Sequence, residues 1–449
     1  MNEHDHTLPD HVLGDRLSRR EAIVGVIGLG YVGLPLAAAC ARGGFRTVGF
    51  DVDLAKVEAL NGGHSYIDAV ASDEVATFLA SGHFGATADF SRLTECDIVV
   101  ICVPTPLTRH RDPDLKYVMT TAETIAAHLR RGQLVILEST TFPGTTEGVV
   151  KPILEKNGLT SGVDFFLGFS PEREDPGNAN FQTASIPKIV AGDGVIASSL
   201  METFYGAVVA RVVAVSSPAV AEAVKITENV FRAVNIALVN ELKVIYGAMG
   251  MDVWEVIDAA ATKPFGYMPF YPGPGLGGHC IPIDPFYLTW KAREFGLATK
   301  FVELAGEINI SMPKYVIDNL ERQLDLRQKR SLSSSRILIA GIAYKKNVSD
   351  IRESPTFHLM DILAKRGATV DYHDPHVPII PPTREHSEYA GIRSVVLSPD
   401  TLASYDAVVV STDHDAVDYR QLAQHSKLVI DTRNVFSRKE IVAPVIVKS

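Results

Sequence analysis

The sequence predicts an α/β protein in which two doubly wound domains are joined by a long central helix and a helical middle domain. The chain has 449 residues, too many for one ordinary core. Short β-branched runs alternate with helical stretches up to about residue 215, and the same rhythm restarts at residue 336. Between them, apolar residues such as Phe231, Leu238 and Ile245 recur near the helical period, which predicts one long helix from about Ser217 to Gly250.

The composition limits the partners that the protein can have. Hydrophobic residues make up 46% of the chain and charged residues 21%, as in a folded globular protein. The formal net charge of -10 argues against nucleic-acid binding and against adsorption to anionic membranes. No run approaches the roughly 18 apolar residues of a membrane helix.

The cysteines and the N-terminal segment indicate the compartment. The four cysteines lack metal-ligand spacing and are too scattered for a disulfide framework, so we expect no metal site and a cytoplasmic location. Residues 1–20 are polar and have no apolar stretch of the kind found in signal peptides. We expect this segment to be a flexible tail.

The first predicted strand leads into a dinucleotide-binding fingerprint. Ala22–Ile27 is followed by Gly28-Leu29-Gly30-Tyr31-Val32-Gly33 and a helix, and the second predicted strand ends at Asp51. The glycines would admit a pyrophosphate to the helix N-terminus, and Asp51 would accept hydrogen bonds from the adenosine ribose. Because an acid here repels a 2′-phosphate, the pattern favours NAD over NADP in a Rossmann-like domain.

Polar loops follow two further predicted strands. Pro104-Thr105-Pro106 comes after a strand ending at Val103, and Glu138-Ser139-Thr140-Thr141 comes after the next strand. Ligands of doubly wound sheets lie at the carboxyl ends of strands, so both loops are candidates for lining the cofactor. Alternatively, Thr140 is a turn hydroxyl bonded to its own backbone.

Charged residues in two segments are candidates for catalysis. Glu172 begins four consecutive charged residues bracketed by prolines, which form either a solvated loop or an active-site loop with Glu172 near the reacting carbon. Lys225 and Asn229 lie four apart on the predicted long helix and therefore project from one face. Both are solvated unless the helix carries this face into a cleft.

The segment 273–288 presents a thiol from a glycine- and proline-rich loop. It contains Gly277-Gly278-His279-Cys280-Ile281-Pro282-Ile283-Asp284. Cys280 becomes an attacking thiolate if neighbouring groups lower its pKa, whereas the alternative is a structural turn that contains a buried Cys. Nothing in the sequence requires His279 to take part in chemistry.

The C-terminal α/β half lacks the glycine fingerprint but has a basic loop after its first predicted strand. A polar break at residues 326–335 predicts a linker before this half. The loop, Tyr344 to Ser354, contains Lys345 and Arg352, which could bind a nucleotide phosphate; the alternative is a surface charge run.

Four motifs in order carry a resemblance to a known enzyme family. They are the fingerprint extended to Gly28–Pro35, Lys225-Ile226-Thr227-Glu228-Asn229, the segment 277–284, and Tyr344-Lys345-Lys346 with Arg352-Glu353-Ser354. From about residue 22 to about residue 436 the chain resembles the UDP-glucose/GDP-mannose 6-dehydrogenase family. Segments 170–178 and 263–275 make it most similar to the UDP-N-acetylglucosamine 6-dehydrogenase branch.

The resemblance implies that the C6 primary alcohol of a nucleotide sugar becomes a carboxylate with the use of two NAD. Cys280 would add to the intermediate aldehyde to give a thiohemiacetal and then a thioester, which water hydrolyses. Lys225 and Asn229 would stabilise the oxyanion. Asp284, Glu172 and Thr140 would order the water and move protons, and the base of the first oxidation is not assigned.

The resemblance also implies ligand contacts, domain boundaries and assembly. The expected NAD-binding residues are Gly28, Gly30, Tyr31, Val32, Gly33, Asp51, Val103, Pro104, Thr105, Thr140 and Arg352. The expected UDP-sugar-binding residues are Glu172, Arg173, Lys225, Phe270, Tyr271, Gly275, Gly277, Lys345 and Arg352. The expected parts are a tail (1–20), an NAD-binding domain (21–215), a central helical domain with the catalytic Cys loop and a dimer interface (216–325), a linker (326–335) and a UDP-binding domain (336–449). A homodimer or higher homo-oligomer is expected.

One position departs from the family pattern and leaves the sugar open. Relatives that act on UDP-glucose carry a second Glu four residues after the position of Glu172, where this chain has Pro176. Either the proton relay differs, for example through Glu174, or the loop serves a 2-acetamido group. UDP-N-acetylglucosamine is the favoured substrate, for a surface-polysaccharide precursor; the galactosamine and mannosamine analogues and UDP-glucose are alternatives. A two-electron hydroxy-acid dehydrogenase and a non-catalytic NAD-binding regulator are the other hypotheses.

Overall fold

The computed structural model describes residues 9–67, 69–108, 112–173, 185–278, 281, 283–383 and 386–449. Of the positions named above, Glu174, Pro176, His279, Cys280 and Pro282 lie outside these residues. The chain divides into two compact units, one of residues 1–228 with 286–297 and one of residues 229–285 with 298–449.

The first unit is built on a sheet of eight strands. In chain order these are β1 (Ile23–Ile27), β2 (Arg46–Phe50), β3 (Phe84–Thr87), β4 (Ile98–Ile101), β5 (Leu134–Leu137), β6 (Phe166–Phe169), β7 (Lys188–Gly192) and β8 (Val212–Ala214). Their order in the sheet is β3-β2-β1-β4-β5-β6-β7-β8, and only the β6–β7 pair is antiparallel among these neighbours. The first six strands have the order of a dinucleotide-binding sheet, whose crevice lies between β1 and β4.

Helices cover both faces of this sheet. They are α1 (Pro9–Ser18), α2 (Gly33–Arg42), α3 (Leu54–Asn61), α4 (Ser72–Ala80), α5 (Lys116–His128), α6 (Lys151–Leu154), which follows a π-helical turn at Thr146–Val150, and α7 (Val195–Gly206). Alternate residues of β1 point into two cores, Val24 and Val26 into one and Ile27 into the other. Burial on both faces explains why β1 is an uninterrupted apolar run.

The flexible tail predicted for residues 1–20 is wrong for residues 9–18, which form α1. Leu13 and Leu17 lie one turn apart on α1 and are buried in the same core as Phe204 of α7. Arg16 of α1 forms an ion pair with Asp97, with 2.8 Å between Nη1 and Oδ1. The polar composition of the segment hid this short apolar stripe.

The second unit contains an all-parallel sheet of five strands. They are β9 (Arg336–Ala340), β10 (Thr369–His373), β11 (Ala407–Val410), β12 (Val429–Asp431) and β13 (Ile446–Lys448), in the order β10-β9-β11-β12-β13. This is the second common doubly wound order, with its crevice between β9 and β11. The remaining helices of the described chain, of which α8 and α10 have residues in both units, are α8 (Pro218–Ala248), α9 (Val253–Ala261), α10 (Asp284–Glu294), α11 (Lys300–Gln328), α12 (Pro355–Lys365), α13 (Pro399–Ser404), α14 (Tyr419–His425) and α15 (Val435–Arg438).

The long helix predicted at mid-chain is confirmed as α8, but its neighbour α11 is much longer than predicted. The sequence predicts a separate short helix over 301–310, whereas α11 has 29 residues and runs through Pro313. The predicted linker 326–335 therefore begins inside the helix, which ends at Gln328. Buried Val316, Leu320 and Leu324 explain why the helix continues beyond the proline.

Candidate active site

The fingerprint glycines adopt three different roles around β1 and α2. Gly28 has a φ of 90°, and a Cβ there would lie 2.5 Å from the Cys102 carbonyl oxygen. A Cβ on Gly33 would lie 1.8 Å from the carbonyl oxygen of Gly28, so α2 could not approach β1. A Cβ on Gly30 would meet no described atom within 4 Å. Protein packing therefore explains two of the glycines, and the open space at Gly30 is where a ligand can approach the backbone.

The surroundings of this loop fit a dinucleotide. Among the described residues, no side chain caps the N-terminus of α2, which is the position where a helix can bind a phosphate. Asp51 follows β2 and is buried, and its carboxylate accepts hydrogen bonds from the backbone N–H groups of Leu29 (2.9 Å) and Asp53 (3.0 Å). These bonds fix the carboxylate beside the glycine loop, and Lys56 Nζ lies 3.6 Å from Oδ2. A carboxylate oxygen can accept more than one hydrogen bond, so the group can still receive a ribose hydroxyl.

Side chains from distant segments fix the two loops that follow β4 and β5. Tyr287 donates its hydroxyl to the carbonyl oxygen of Thr105 at 2.7 Å, and Ser139 donates to that of Val103 at 2.7 Å. Thr105 is buried and Thr140 half-buried. Both loops therefore lie at the carboxyl edge of the sheet as predicted.

Sequence reasoning missed Glu222, which ties the loop after β5 to α8. Its buried carboxylate accepts hydrogen bonds from the N–H of Thr146 at 2.8 Å and the hydroxyl of Thr146 at 2.7 Å, and also from the N–H of Gly144. Burial raises the pKa of Glu222 to about 7. Glu222 precedes Lys225 by one turn, a spacing that would have signalled a shared face of α8.

Glu172 and Lys225 lie beside each other in the first unit. Lys225 Nζ is 3.9 Å from Glu172 Oε2, and both side chains are largely buried. β6 and β7 pair antiparallel with Phe169 opposite Ala191, and extending this register by three residues along the chain sets Lys188 opposite Glu172. Lys188 is paired with the buried Glu138 at 2.9 Å.

Asn229 and Asp284 form a buried hydrogen bond in the second unit. Asn229 Nδ2 donates to Asp284 Oδ2 at 2.6 Å. Asp284 starts α10, and Asn229 lies one turn after Lys225 on α8. An amide and a carboxylate that the sequence placed 55 residues apart are thus brought into direct contact at the end of the Cys280 segment.

The glycines that precede Cys280 pack against the C-terminal domain. A Cβ on Gly277 would lie 2.7 Å from Tyr344 Cβ, and one on Gly278, whose φ is 84°, would lie 2.9 Å from the Tyr344 ring. The N–H of Gly278 donates to the carbonyl oxygen of Arg352 at 3.1 Å. These glycines were predicted to permit close approach of a ligand; their positions also permit this close protein packing.

Asn240 and Arg433, two residues that sequence reasoning missed, hold the start of the same segment. Asn240 Oδ1 accepts from the N–H of Gly273 at 3.0 Å, and its Nδ2 donates to Asn309 Oδ1 at 2.9 Å. A Cβ on Gly273 would lie 2.7 Å from Arg433 Nη1. A buried Asn amid an apolar helical pattern, as at Asn240, was the available signal.

The C-terminal sheet repeats the layout of the first domain with a different use of its acid. Gly341 follows β9 with a φ of 91°, as Gly28 follows β1, and Asp374 follows β10 as Asp51 follows β2. The Asp374 carboxylate accepts five hydrogen bonds: from the N–H groups of Ile342, Ala343, His376 and Val377, and from His414 Nε2. Groups of the protein itself thus satisfy the Asp374 carboxylate, which agrees with the absence of the glycine fingerprint from this half of the chain.

The predicted phosphate-binding cations lie in the loop between β9 and α12. Lys345 is half-buried, and Arg352 is exposed and paired with Asp350, with 2.6 Å between Nη2 and Oδ2. Lys346 is exposed and paired with Asp415 at 2.7 Å. The loop therefore presents cations at the carboxyl edge of β9, beside the crevice of the second sheet.

Three consecutive family models match the chain. They are the NAD-binding domain of the UDP-glucose/GDP-mannose dehydrogenase family over residues 22–208, its central domain over 219–311 and its UDP-binding domain over 338–438. The chain belongs to this family. It is therefore an NAD-dependent nucleotide-sugar dehydrogenase, which confirms the predicted enzyme class, fold class and cofactor.

Family members of known name match nearly the whole chain. A Pseudomonas aeruginosa protein named UDP-N-acetyl-D-glucosamine 6-dehydrogenase is 35% identical over 91% of this chain and 96% of its own length. A Pyrococcus horikoshii protein named UDP-N-acetyl-D-mannosamine dehydrogenase is 33% identical over 93% of this chain and 97% of its own length. A solved structure of UDP-D-ManNAc dehydrogenase from Pyrococcus horikoshii superposes with a TM-score of 0.85 at 31% identity, covering 95% of this chain and 98% of that one.

The family assignment supports the class of the predicted substrate but not the particular sugar. The UDP-binding domain supports a UDP-sugar as substrate. Among the described residues, no helix is both long enough and apolar enough to span a membrane.

Proposed function

We propose that the protein oxidises the C6 hydroxyl of a UDP-N-acetylhexosamine, with UDP-N-acetylglucosamine favoured, to the uronic acid. The observation that carries this proposal is the pair of near full-length relatives, named for the glucosamine and mannosamine substrates, at 35% and 33% identity. The product would be a precursor of a surface polysaccharide.

The conversion removes two hydrides from C6 and adds one oxygen from water. NAD, when bound, supplies the hydride acceptor for both oxidations. Cys280 would add as a thiolate to the aldehyde, because the second hydride can leave only from a tetrahedral carbon. The resulting thioester is hydrolysed, which regenerates the thiolate, and three protons are released for each carboxylate formed.

The polar groups of α8 would stabilise the oxygen on C6. Lys225 and Asn229 project from one face of α8, so an ammonium and an amide N–H can address the same developing oxyanion. The hydrogen bond from Asn229 to Asp284 supports this assignment because it orients the amide. Asp284, Glu172 and Thr140 would order the hydrolytic water and move protons.

The ligand contacts are carried over as proposals. NAD would contact Gly28, Gly30, Tyr31, Val32, Gly33, Asp51, Val103, Pro104, Thr105, Thr140 and Arg352. The UDP-sugar would contact Glu172, Lys225, Phe270, Tyr271, Gly275, Gly277, Lys345 and Arg352; Arg173, which belongs to the predicted set, is instead paired with Glu228. The open space at Gly30 and the buried Asp51 support the first set, and the exposed or half-buried cations of the β9 loop support the second.

We also propose that the chain divides into an NAD-binding domain (21–215), a central domain (216–325) and a UDP-binding domain (336–449).

We further propose a homodimer that pairs through the central domain. The support for the dimer is an apolar stripe on α8: Phe231, Leu238 and Ile245 recur every seven residues, and 49%, 49% and 41% of their surfaces are exposed. Light scattering of the purified chain measures its mass in solution, and a monomer would contradict the dimer.

Turnover of four nucleotide sugars tests the substrate. We expect UDP-N-acetylglucosamine to give the highest kcat/KM when it is compared with UDP-N-acetylgalactosamine, UDP-N-acetylmannosamine and UDP-glucose under saturating NAD. UDP-glucose as the best substrate would contradict the N-acetylhexosamine assignment. A preference for another N-acetylhexosamine would replace only the favoured sugar.

A further inference from the structure

Arg173 links two elements that carry proposed catalytic side chains. Its Nη2 lies 2.6 Å from Glu228 Oε1, and its Nη1 donates to the carbonyl oxygen of Pro187 at 2.6 Å. Arg173 directly follows Glu172, and Glu228 lies between Lys225 and Asn229 on α8. One guanidinium thus connects the chain that carries Glu172 to the helix that carries Lys225.

The chain around Glu172 is fixed on the β7 side as well. Ser170 Oγ donates to the carbonyl oxygen of Ile189 at 2.8 Å, and the contact between Arg173 and Pro187 follows the same antiparallel register. Lys188, opposite Glu172, directs its ammonium to Glu138 at 2.9 Å. On the α8 side, the same stretch of chain is joined to the helix by the contact between Arg173 and Glu228.

The ion pair between Arg173 and Glu228 is better suited to positioning neighbouring groups than to stabilising the fold. The side chains of Arg173 and Glu228 keep 25% and 34% of their surfaces exposed, and ion pairs at such sites contribute little to the free energy of unfolding. The nearby separation of 3.9 Å between Glu172 Oε2 and Lys225 Nζ is sensitive to small shifts of either element. Displacement of catalytic groups by about 1 Å can cost on the order of 100-fold in rate.

We propose that Arg173 and Glu228 are positioning residues that set the separation of Glu172 and Lys225. On this view Arg173 acts through its contacts with Glu228 and Pro187 and does not bind the substrate, which revises its predicted role. The inference rests on the proposed function, because it presumes that Glu172 and Lys225 serve the oxidation.

A double-mutant cycle separates a positioning pair from a substrate contact. Arg173→Ala, Glu228→Ala and the double variant are compared with the wild type for kcat, for KM of whichever of the four UDP-sugars is turned over, and for Tm. Glu241→Ala, which removes an exposed Glu farther along α8, is the control.

We expect Glu228→Ala and Arg173→Ala each to lower kcat about 10-fold, with KM changed less than about threefold and Tm nearly unchanged. The kcat of the double variant should lie within about twofold of the kcat of the less active single variant, because both substitutions break the same link. Glu241→Ala should behave as the wild type.

Three results would overturn the inference. They are a raised KM with unchanged kcat for Arg173→Ala, a Glu228→Ala variant as active as the Glu241→Ala control, and additive losses in the double variant. Failure of the wild type to oxidise UDP-N-acetylhexosamines, with turnover of UDP-glucose, would contradict the proposed substrate and leave the cycle measurable with UDP-glucose.

Discussion

At the residue scale, Asn229 forms a hydrogen bond with Asp284, which follows Cys280 in the same motif. Both side chains are buried, and the donor–acceptor distance of 2.6 Å is that of a strong bond to a carboxylate. The chemistry proposed for Asp284 depends on its negative charge. The Asn229 amide depends on the same charge for its orientation.

Asp284→Asn removes that charge with almost no change in volume. We expect kcat to fall by about 100-fold or more, the range of general acid–base contributions, while the Kd for UDP changes little. Steady-state kinetics and calorimetric UDP binding measure the two quantities. A variant with wild-type kcat would remove Asp284 from the mechanism, and a large loss of UDP binding would indicate a structural role instead.

Lys243 is a second buried polar residue of α8, and its ammonium has no hydrogen-bond acceptor among the residues described. It lies over the rings of Trp254 and Tyr315, 5.5 and 5.8 Å from their centroids. Burial, followed by repulsion from Arg433, lowers its pKa to about 7. Between pH 7 and the ordinary pKa of 10.5 the unfolded chain binds more protons than the folded one, so the free energy of unfolding rises with pH.

We therefore expect the urea midpoint of Lys243→Met to be higher than that of the wild type at pH 7. Between pH 7 and pH 9 the midpoint of the variant should increase less than that of the wild type. The reason is that methionine removes the cost of burying an unpaired ammonium while filling a similar volume. Chemical denaturation at both pH values measures the effect. A lower midpoint for the variant at pH 7 would show that the ammonium has a stabilising partner.

At the scale of elements, the β1–α2 turn separates glycines needed for folding from one needed for binding. Gly33→Ala places a methyl group 1.8 Å from a carbonyl oxygen, whereas Gly30→Ala places it in open space. We expect Gly33→Ala to lower Tm by several degrees, and Gly30→Ala to retain Tm and weaken NAD binding about 10-fold or more. Thermal melts and NAD titrations measure both. Normal NAD affinity in Gly30→Ala would place the cofactor elsewhere.

The sequence predicts those elements whose pattern is local, and it fails where distant packing decides. β1, α8 and the fingerprint could be predicted because burial on both faces, or a helical period, shows in the pattern of consecutive residues. α1 was missed because two leucines in a polar segment carry no signal without the core that receives them. α11 was cut short because a proline inside a helix is ordinarily a boundary, and here the buried residues beyond it outweigh that preference.

The same distinction holds for the site. Lys225 and Asn229 could be paired from their spacing, and Asp284 from its motif. Glu222, Arg433 and the pair of Arg173 with Glu228 depend on contacts between segments far apart in the chain, at separations that no motif encodes. A charged residue next to a catalytic motif, such as Glu228, is indistinguishable from a solvated one until its partner is located.

At the scale of the whole molecule, the proposed function requires an NAD-binding domain, a UDP-binding domain and a central domain to act as one four-electron dehydrogenase. In the proposed mechanism, a single hydride transfer needs no thiol, whereas the second requires a covalent adduct on Cys280. The number of NADH molecules formed per sugar therefore distinguishes the mechanism from a two-electron dehydrogenase and from a non-catalytic regulator.

The most direct measurement counts NADH per molecule of limiting UDP-N-acetylglucosamine, for the wild type and for Cys280→Ser. We expect two NADH and one uronate per sugar for the wild type, and for Cys280→Ser no free carboxylate above trace amounts. One NADH per sugar in the wild type, or undiminished uronate production by Cys280→Ser, would contradict the thioester mechanism.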